Sequence, residues 1–269
     1  MKYEKLSLNE VKKIQLSILD EIKEFCDRNS IRYFLFAGTL LGAIRHKGYI
    51  PWDDDIDLCM LRSDYERFAV TYKGKTTYLL SYAQNDAYYY PIIKVCKEGT
   101  LAKEECLYAQ NLGINIDIFP IDNIPNDDEE CKKYFNSVEK HRRLLARKVN
   151  MNSKPSSILK RMAQKIYNLM TFYESKEKAL ELINFKAQTY NTQNTQKCCS
   201  VVWGIGIGEA VSCEVFSDVV EVDFEGKKYT APIGYKTWLT RRYGDYMKLP
   251  PIEKQISNHV REDYILENT

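Results

Sequence analysis

The run Trp52-Asp53-Asp54-Asp55-Ile56-Asp57 places four carboxylates in a short stretch, and the chain then turns apolar at Ile56, Leu58 and Met60. That is the pattern of a loop entering a strand, which the spacing predicts over 55–60. On a strand Asp55 and Asp57 share one face, about 7 Å apart at the usual rise per residue. Like charges that close repel unless a cation lies between them. A hard divalent ion held by one or two carboxylates and the phosphates of a substrate is the usual resolution. Asp55 and Asp57 are therefore candidate ligands for magnesium, with manganese as the alternative.

The segment before this run carries a second half of the same chemistry. Tyr33–Ala37 reads as a buried strand, Gly38-Thr39 as a turn, and 40–45 as a short helix. A helix start offers unpaired N–H groups and a positive dipole end to a phosphate. Gly38 allows close backbone approach, and Thr39 adds a hydroxyl. Arg45, His46 and Lys47 lie between the two motifs, where cations could hold phosphate oxygens. Asp53 and Asp54 either bind metal or shape the loop, and the second role is preferred. A calcium loop is rejected: Leu58 stands where an EF-hand requires Gly, and Asp64 where it requires Glu.

A third acid would complete the set. Asp117 is a lone carboxylate in the alternating strand 114–119, which Pro120 stops, and is flanked by Ile116, Ile118 and Phe119. A buried acid is costly unless paired or metal-bound. Asp117 is thus either a third ligand and the base for an attacking hydroxyl, or a structural partner for an Arg or Lys. Asp122, beyond Pro120, ranks lower.

The 269 residues suffice for one large or two small domains, and 44% apolar with 28% charged residues suits a soluble globular chain. No run approaches a membrane span, and the N-terminal residues lack a signal-peptide apolar core, so a cytoplasmic protein is expected. Eight cysteines without a C-x-x-C pair read as buried free thiols. Net charge is +2, yet Lys140, Arg142, Arg143, Arg147, Lys148, Lys154, Lys160, Arg161 and Lys165 form a basic stretch without an acid. It reads as a solvated helical face or as contact with an anionic membrane or substrate. No nucleic-acid motif accompanies it. Among 20 Tyr and 3 Trp, Tyr88, Tyr89, Tyr90, Trp52, Trp203 and Trp238 could form an aromatic box for a quaternary ammonium, although most aromatics are packing.

Further elements follow from periodicity and caps: a helix over 7–28 opened by a Ser7/Glu10 capping box, another opened by Ser63/Glu66, strands over 77–81 and 92–96, and long helices over 128–149 and 156–190 with a break near 171–175. A hairpin over 219–230 turns at Glu225-Gly226, and a helix after Pro232 is closed by Gly244.

Ala37 to Asp57, reading AGTLLGAIRHKGYIPWDDDID, closely resembles the signature of the LicD family; Asn115 to Asp122 and Tyr243 to Pro251 resemble its downstream blocks. The family is similar to nucleotidyltransferases, with a Gly-Ser/Thr turn, a D-x-D strand and a third acid, here Gly38-Thr39, Asp55/Asp57 and Asp117. The resemblance implies an α/β (α+β) fold: a nucleotidyltransferase-like core with a small mixed sheet flanked by helices, a helical insertion and a C-terminal region. Three parts are expected: a catalytic core over 1–125, a basic helical region over 126–200, and a C-terminal hairpin and helix over 201–269. It also implies transfer of a phospho-alcohol, foremost phosphocholine from CDP-choline, to a sugar hydroxyl of a teichoic acid or lipopolysaccharide precursor, lipid-linked or polymeric. Trp52, Asp245 and His259 join the expected substrate site. The rival readings are a D-x-D glycosyltransferase using a nucleotide-sugar and a non-catalytic glycan-binding protein.

Overall fold

A computed structural model describes residues 3–104, 112–149, 162, 166, 175–204, 206–256 and 261–266. The central sheet has the strand order β2-β3-β7-β5-β4, built from Phe34–Leu35, Asp57–Leu61, Asn115–Ile124, Ile93–Lys97 and Thr77–Leu80. β3 runs parallel to β7, and the other neighbours are antiparallel. β8 (Lys197–Cys199) extends the far half of β7 and pairs with β9 (Val211–Ser212). A separate small sheet joins β1 (Tyr3–Lys5), β12 (Arg261–Leu266) and β6 (Thr100–Glu104). The fold is mixed α/β of the nucleotidyltransferase-like α+β kind.

Period-two alternation sorts the sheet's faces. Leu58, Met60, Ile116 and Ile118 are wholly buried on one face, and helices α1 (Leu8–Asn29) and α3 (Arg62–Thr71) pack against these strands. Asp57, Cys59, Asp117 and Phe119 point the other way. There Phe36 bridges Phe119 (5.7 Å between ring centroids) and Trp238 (4.7 Å). Trp238 belongs to α6 (Tyr235–Tyr243), so the C-terminal part of the chain covers the face that carries the acids. The core draws on residues from Val11 to Leu239.

The Ser7/Glu10 capping box opens α1 as expected. The hairpin also forms: β10 (Val219–Phe224) and β11 (Lys227–Pro232) meet at Glu225 (φ 51°) and Gly226 (φ 76°). Two positive φ angles make the turn that matches strand twist. Gly244 closes α6 at φ 66°.

Other boundaries move for identifiable reasons. β3 begins at Asp57, so Asp55 lies in the loop before it. The helix after β2, α2, spans Ala37–His46, so Gly38 and Thr39 belong to its first turn. α3 starts at Arg62 with no side-chain cap; Glu66 instead accepts from Arg62 at 3.2 Å. Pro120 does not stop β7. Partners on that side of β7 cover 115–118 from β5 and 122–124 from β8, and the Asp117 N–H points the other way, to Ile56 O on the β3 side. The proline nitrogen therefore falls opposite a gap where no donor is needed.

The helix α4 spans Asp128–Val149 and packs on α5 (Lys176–Ala187), whose N-cap is Ser175. The Tyr134 hydroxyl ties them by donating to Ala187 O at 2.8 Å. Of the helix expected over 156–190, the part after the break is α5, while the part before 175 lies, but for residues 162 and 166, outside the described residues, as do Lys154, Lys160, Arg161 and Lys165 of the basic stretch. Among the described residues the seven cysteines are free thiols, six of them buried, and no helix is long and apolar enough to cross a membrane.

Candidate active site

The site begins with a register. β3 and β7 align Asp57 with Asp117, and β7 and β5 align Asp117 with Lys94. Directly paired residues project to the same face, so Asp57, Asp117 and Lys94 form one row across three strands. Lys94 is buried, donates to Asp117 Oδ1 at 2.5 Å and to Asn115 Oδ1 at 3.1 Å, and lies 5.1 Å from the centre of the Tyr90 ring. Sequence reasoning left a cation as one option for Asp117 but did not name Lys94. Its signal was available: a lone lysine within the apolar run Pro91-Ile92-Ile93-Lys94-Val95-Cys96.

Beside the Asp57 end of the row lies a cavity of about 710 Å³. Ala37 and Gly38 at the start of α2, Asp53, Asp55 and Asp57 line one side; Arg242, Tyr243, Asp245, Tyr246 and Lys248 contribute from the C-terminal part. Arg45 and Trp52 also line it. Asp117 stands next to Asp57 but is not among the lining residues, its carboxylate being engaged by Lys94.

The start of α2 is built for close approach. Leu40 N–H is satisfied by Phe36 O at 3.0 Å, leaving the amides of the preceding turn near the cavity. A Cβ at Gly38 would come within 2.6 Å of the Asp53 carboxylate, so a side chain there would push Asp53 from its place beside the helix start. Ala37 holds φ 43° at this bend, a left-handed conformation that costs a non-glycine residue about 1–3 kcal/mol.

Thr39 is buried, and its hydroxyl accepts the Asp57 N–H at 2.8 Å. It fixes the first residue of β3 beneath the helix terminus. Thr39→Val keeps the shape but orphans that N–H, at about 1–3 kcal/mol. The expected result is a melting point lower by several degrees and slower turnover, with Thr39→Ser close to the parent; a Val variant with unchanged melting would remove this role.

The acidic loop is held from outside. Gln15 on α1 donates to Asp54 O at 3.0 Å and accepts from the Tyr49 hydroxyl at 3.0 Å. The hairpin tip clamps the loop's other end, since Glu225 accepts from Tyr49 N–H at 3.0 Å and donates its own N–H to Lys47 O at 2.9 Å. Among the described residues, Asp53, Asp54 and Asp55 bring carboxylate oxygens within 4.8 Å of one another. An all-oxygen donor set of this kind fits magnesium or manganese. The tightest trio is thus the loop trio, which includes two acids first read as loop-shaping.

Asp57 feels the charge of two members of the trio, Asp55 and Asp53. Burial pushes its carboxyl well above the ordinary value, and Asp55, Asp117 and Asp53 push it further, with Lys94 opposing. Burial also lowers Lys12, against the pull of Asp53, Glu225 and Asp54.

The remaining expected residues are placed as follows. Arg45 donates to His46 Nε2 at 2.9 Å and to Tyr246 O at 3.0 Å, tying α2 to the C-terminal loop. His46 stands edge-on to Trp52 at 6.3 Å and is not a lining residue; burial, then Arg45, lowers its pKa. Lys47 is the exposed left-handed C-cap of α2, also outside the lining. Asp245 lines the cavity, and His259 lies outside the described residues. Asp122 is gripped by Arg62 at 2.7 and 2.6 Å and by Asn191 at 2.7 Å, a structural lock between α3 and β7. The aromatics do not converge: Trp238 and Tyr88 are core, Trp52 lines the cavity, and Tyr89, Tyr90 and Trp203 line another groove.

Comparison with known proteins places the chain in a family. Residues 30–145 match the LicD/FKTN/FKRP nucleotidyltransferase domain. The chain is 34% identical over 276 aligned residues to the lipopolysaccharide cholinephosphotransferase LicD of Haemophilus influenzae, covering 97% of this chain and 99% of that protein. An uncharacterized protein of Rickettsia prowazekii is 38% identical over 71 residues, covering 23% of this chain and 27% of its own length. With a near-full-length relative at that identity and the domain match spanning β2 to α4, the chain belongs to the LicD family.

Proposed function

We propose that this protein is a cholinephosphotransferase that moves phosphocholine from CDP-choline to a sugar hydroxyl of a surface glycan of the lipopolysaccharide or teichoic acid type. The observation that carries the reading is the Asp57–Asp117–Lys94 row, set beside the start of α2 and an acid-lined cavity. The near-full-length likeness to a lipopolysaccharide cholinephosphotransferase supports it. The cavity is within the size range of small-molecule sites.

Asp53, Asp55 and Asp57 would hold magnesium, with Asp117 alongside. Magnesium bound there supplies neutralisation of the donor's phosphate oxygens. The amides of Ala37 and Gly38 receive a phosphate at the helix start, and Arg45 and Arg242 flank it as cations. Asp117 accepts the proton of the attacking sugar hydroxyl. The hydroxyl oxygen bonds to the choline-bearing phosphorus, the bond to the CMP oxygen breaks, and CMP departs.

The test is direct. Purified protein with magnesium, CDP-choline and a lipopolysaccharide acceptor should release CMP and label the acceptor, and chelation should stop it. Turnover of nucleotide-sugars with CDP-choline inert would replace the reading with a glycosyltransferase. The other basic residues of α4, Lys140, Arg147 and Lys148, are assigned to an anionic membrane surface where lipid-linked acceptors reside. Co-sedimentation with anionic vesicles should fall as salt rises; no binding at low salt would cancel that assignment.

A further inference from the structure

A second concavity, of about 300 Å³, lies between α4 and the segment that enters β5. Tyr89 and Tyr90, stacked at 5.3 Å and 23°, line it together with Trp203. Arg142 and Arg143 from α4 also line it. Arg142 lies over the Trp203 ring at 5.6 Å and donates to Gly204 O at 3.4 Å. Glu139 sits between the two arginines, 3.5 Å from Arg142 and 3.0 Å from Arg143. One carboxylate against two guanidinium groups leaves the wall positive. A quaternary ammonium would be repelled by this box, whereas an anion would be held.

The groove's place matters as much as its lining. Across β3, β7 and β5 the row runs Asp57, Asp117, Lys94. The acid-lined cavity stands at the Asp57 end. The groove stands at the Lys94 end, because Tyr90 lines it and lies over Lys94 at 5.1 Å. A transfer enzyme needs two subsites flanking its base. We infer that the Tyr89–Tyr90–Trp203 groove is the acceptor subsite and takes a sugar ring bearing a negatively charged group such as phosphate. The apolar C–H face of the ring lies on the aromatic side chains, and the anion meets Arg142 and Arg143. This rests on the proposed transfer reaction for its purpose but not for its test.

The test is binding of glucose 6-phosphate and of neutral methyl glucoside to the full chain, followed by saturation-transfer NMR, with no turnover required. The parent protein should bind the phosphorylated sugar about tenfold tighter, as a charge-assisted contact allows. Arg143→Gln should erase that preference. Trp203→Ala should weaken both ligands by about tenfold, with Trp203→Phe restoring most of the loss. In turnover, Trp203→Ala should raise the acceptor KM while the donor KM moves less than about twofold. Equal affinity for both sugars, unchanged binding in Trp203→Ala, or displacement of glucose 6-phosphate by CDP would each overturn the assignment. Sugar binding as expected without any turnover of CDP-choline would leave the groove standing and sink the donor reading alone.

Discussion

Asp57→Asn is expected to lower turnover by about 10³-fold, the scale of losing a charge-stabilising group at a reaction centre, while raising the melting point of the metal-free protein. The two effects share one cause. Asp57 is partly buried and faces Asp55, Asp117 and Asp53, and burial together with these charges drives its pKa upward. A raised folded-state pKa means that the folded protein binds the proton more tightly than the unfolded chain. Stability from this group is full below the unfolded value of 3.8 and is lost as pH rises through the folded pKa. At neutral pH the ionised group therefore works against the fold unless a cation joins it. Asparagine removes that repulsion, and each kcal/mol recovered is worth about 2–4 °C in a chain of this size. Magnesium should raise the parent's melting point at neutral pH, raise it less as the pH falls, and raise it least in the variant. Thermal scans with and without magnesium from pH 4 to 8 check this. A variant that melts lower than the parent without metal would refute the repulsion, and one that retains turnover would remove Asp57 from the reaction.

Most of this arrangement was readable from residues alone, and the unread part has a common physical origin. Asp117 betrayed itself as a carboxylate in an apolar run, because burial of charge is expensive enough to need a reason, and Asp57 as half of a like-charge pair that calls for a cation. The Glu225-Gly226 turn was legible because its two positive φ angles restrict residue choice, and Gly38-Thr39 because it follows a strand and opens a helix just before the acidic run. Registry was not legible. No local pattern states that Asp117 faces Asp57 on one side and Lys94 on the other, since pairing is set by strands 60 and 23 residues away. The Ser63/Glu66 capping box failed for a similar reason: Arg62 is recruited by Asp122 from a distant strand and takes Glu66 with it. Gln15 is buried and anchors Asp54, a role that depends on a residue 39 positions away and leaves no local trace. Pro120 was read as a stop because its missing donor matters in a fully paired strand; β7 changes partners at that residue.

Lys94→Met separates the two readings of Asp117 that the sequence left open. The side-chain volume is nearly kept, but the only cation that the strand register places on the row is lost. Breaking a buried ion pair typically costs about 3–5 kcal/mol, and the Asp117 side chain is 24% exposed, so solvent screening reduces the expected loss to about 2 kcal/mol. If Asp117 belongs to the metal-bearing set, magnesium can replace part of what the ammonium supplied. The variant should then melt several degrees below the parent without metal and recover most of the difference in saturating magnesium. Turnover should remain depressed by about 10²-fold, because the groove side of the row has lost the charge that orients Asp117. A purely structural pair gives another pattern: the melting point falls equally with and without magnesium, and turnover per folded molecule is preserved. Paired thermal scans and active-fraction-corrected rates distinguish these outcomes. Combining Lys94→Met with Asp117→Asn completes a double-mutant cycle. Asparagine fills the carboxylate's place without its charge, so stability should return in the double variant while activity does not.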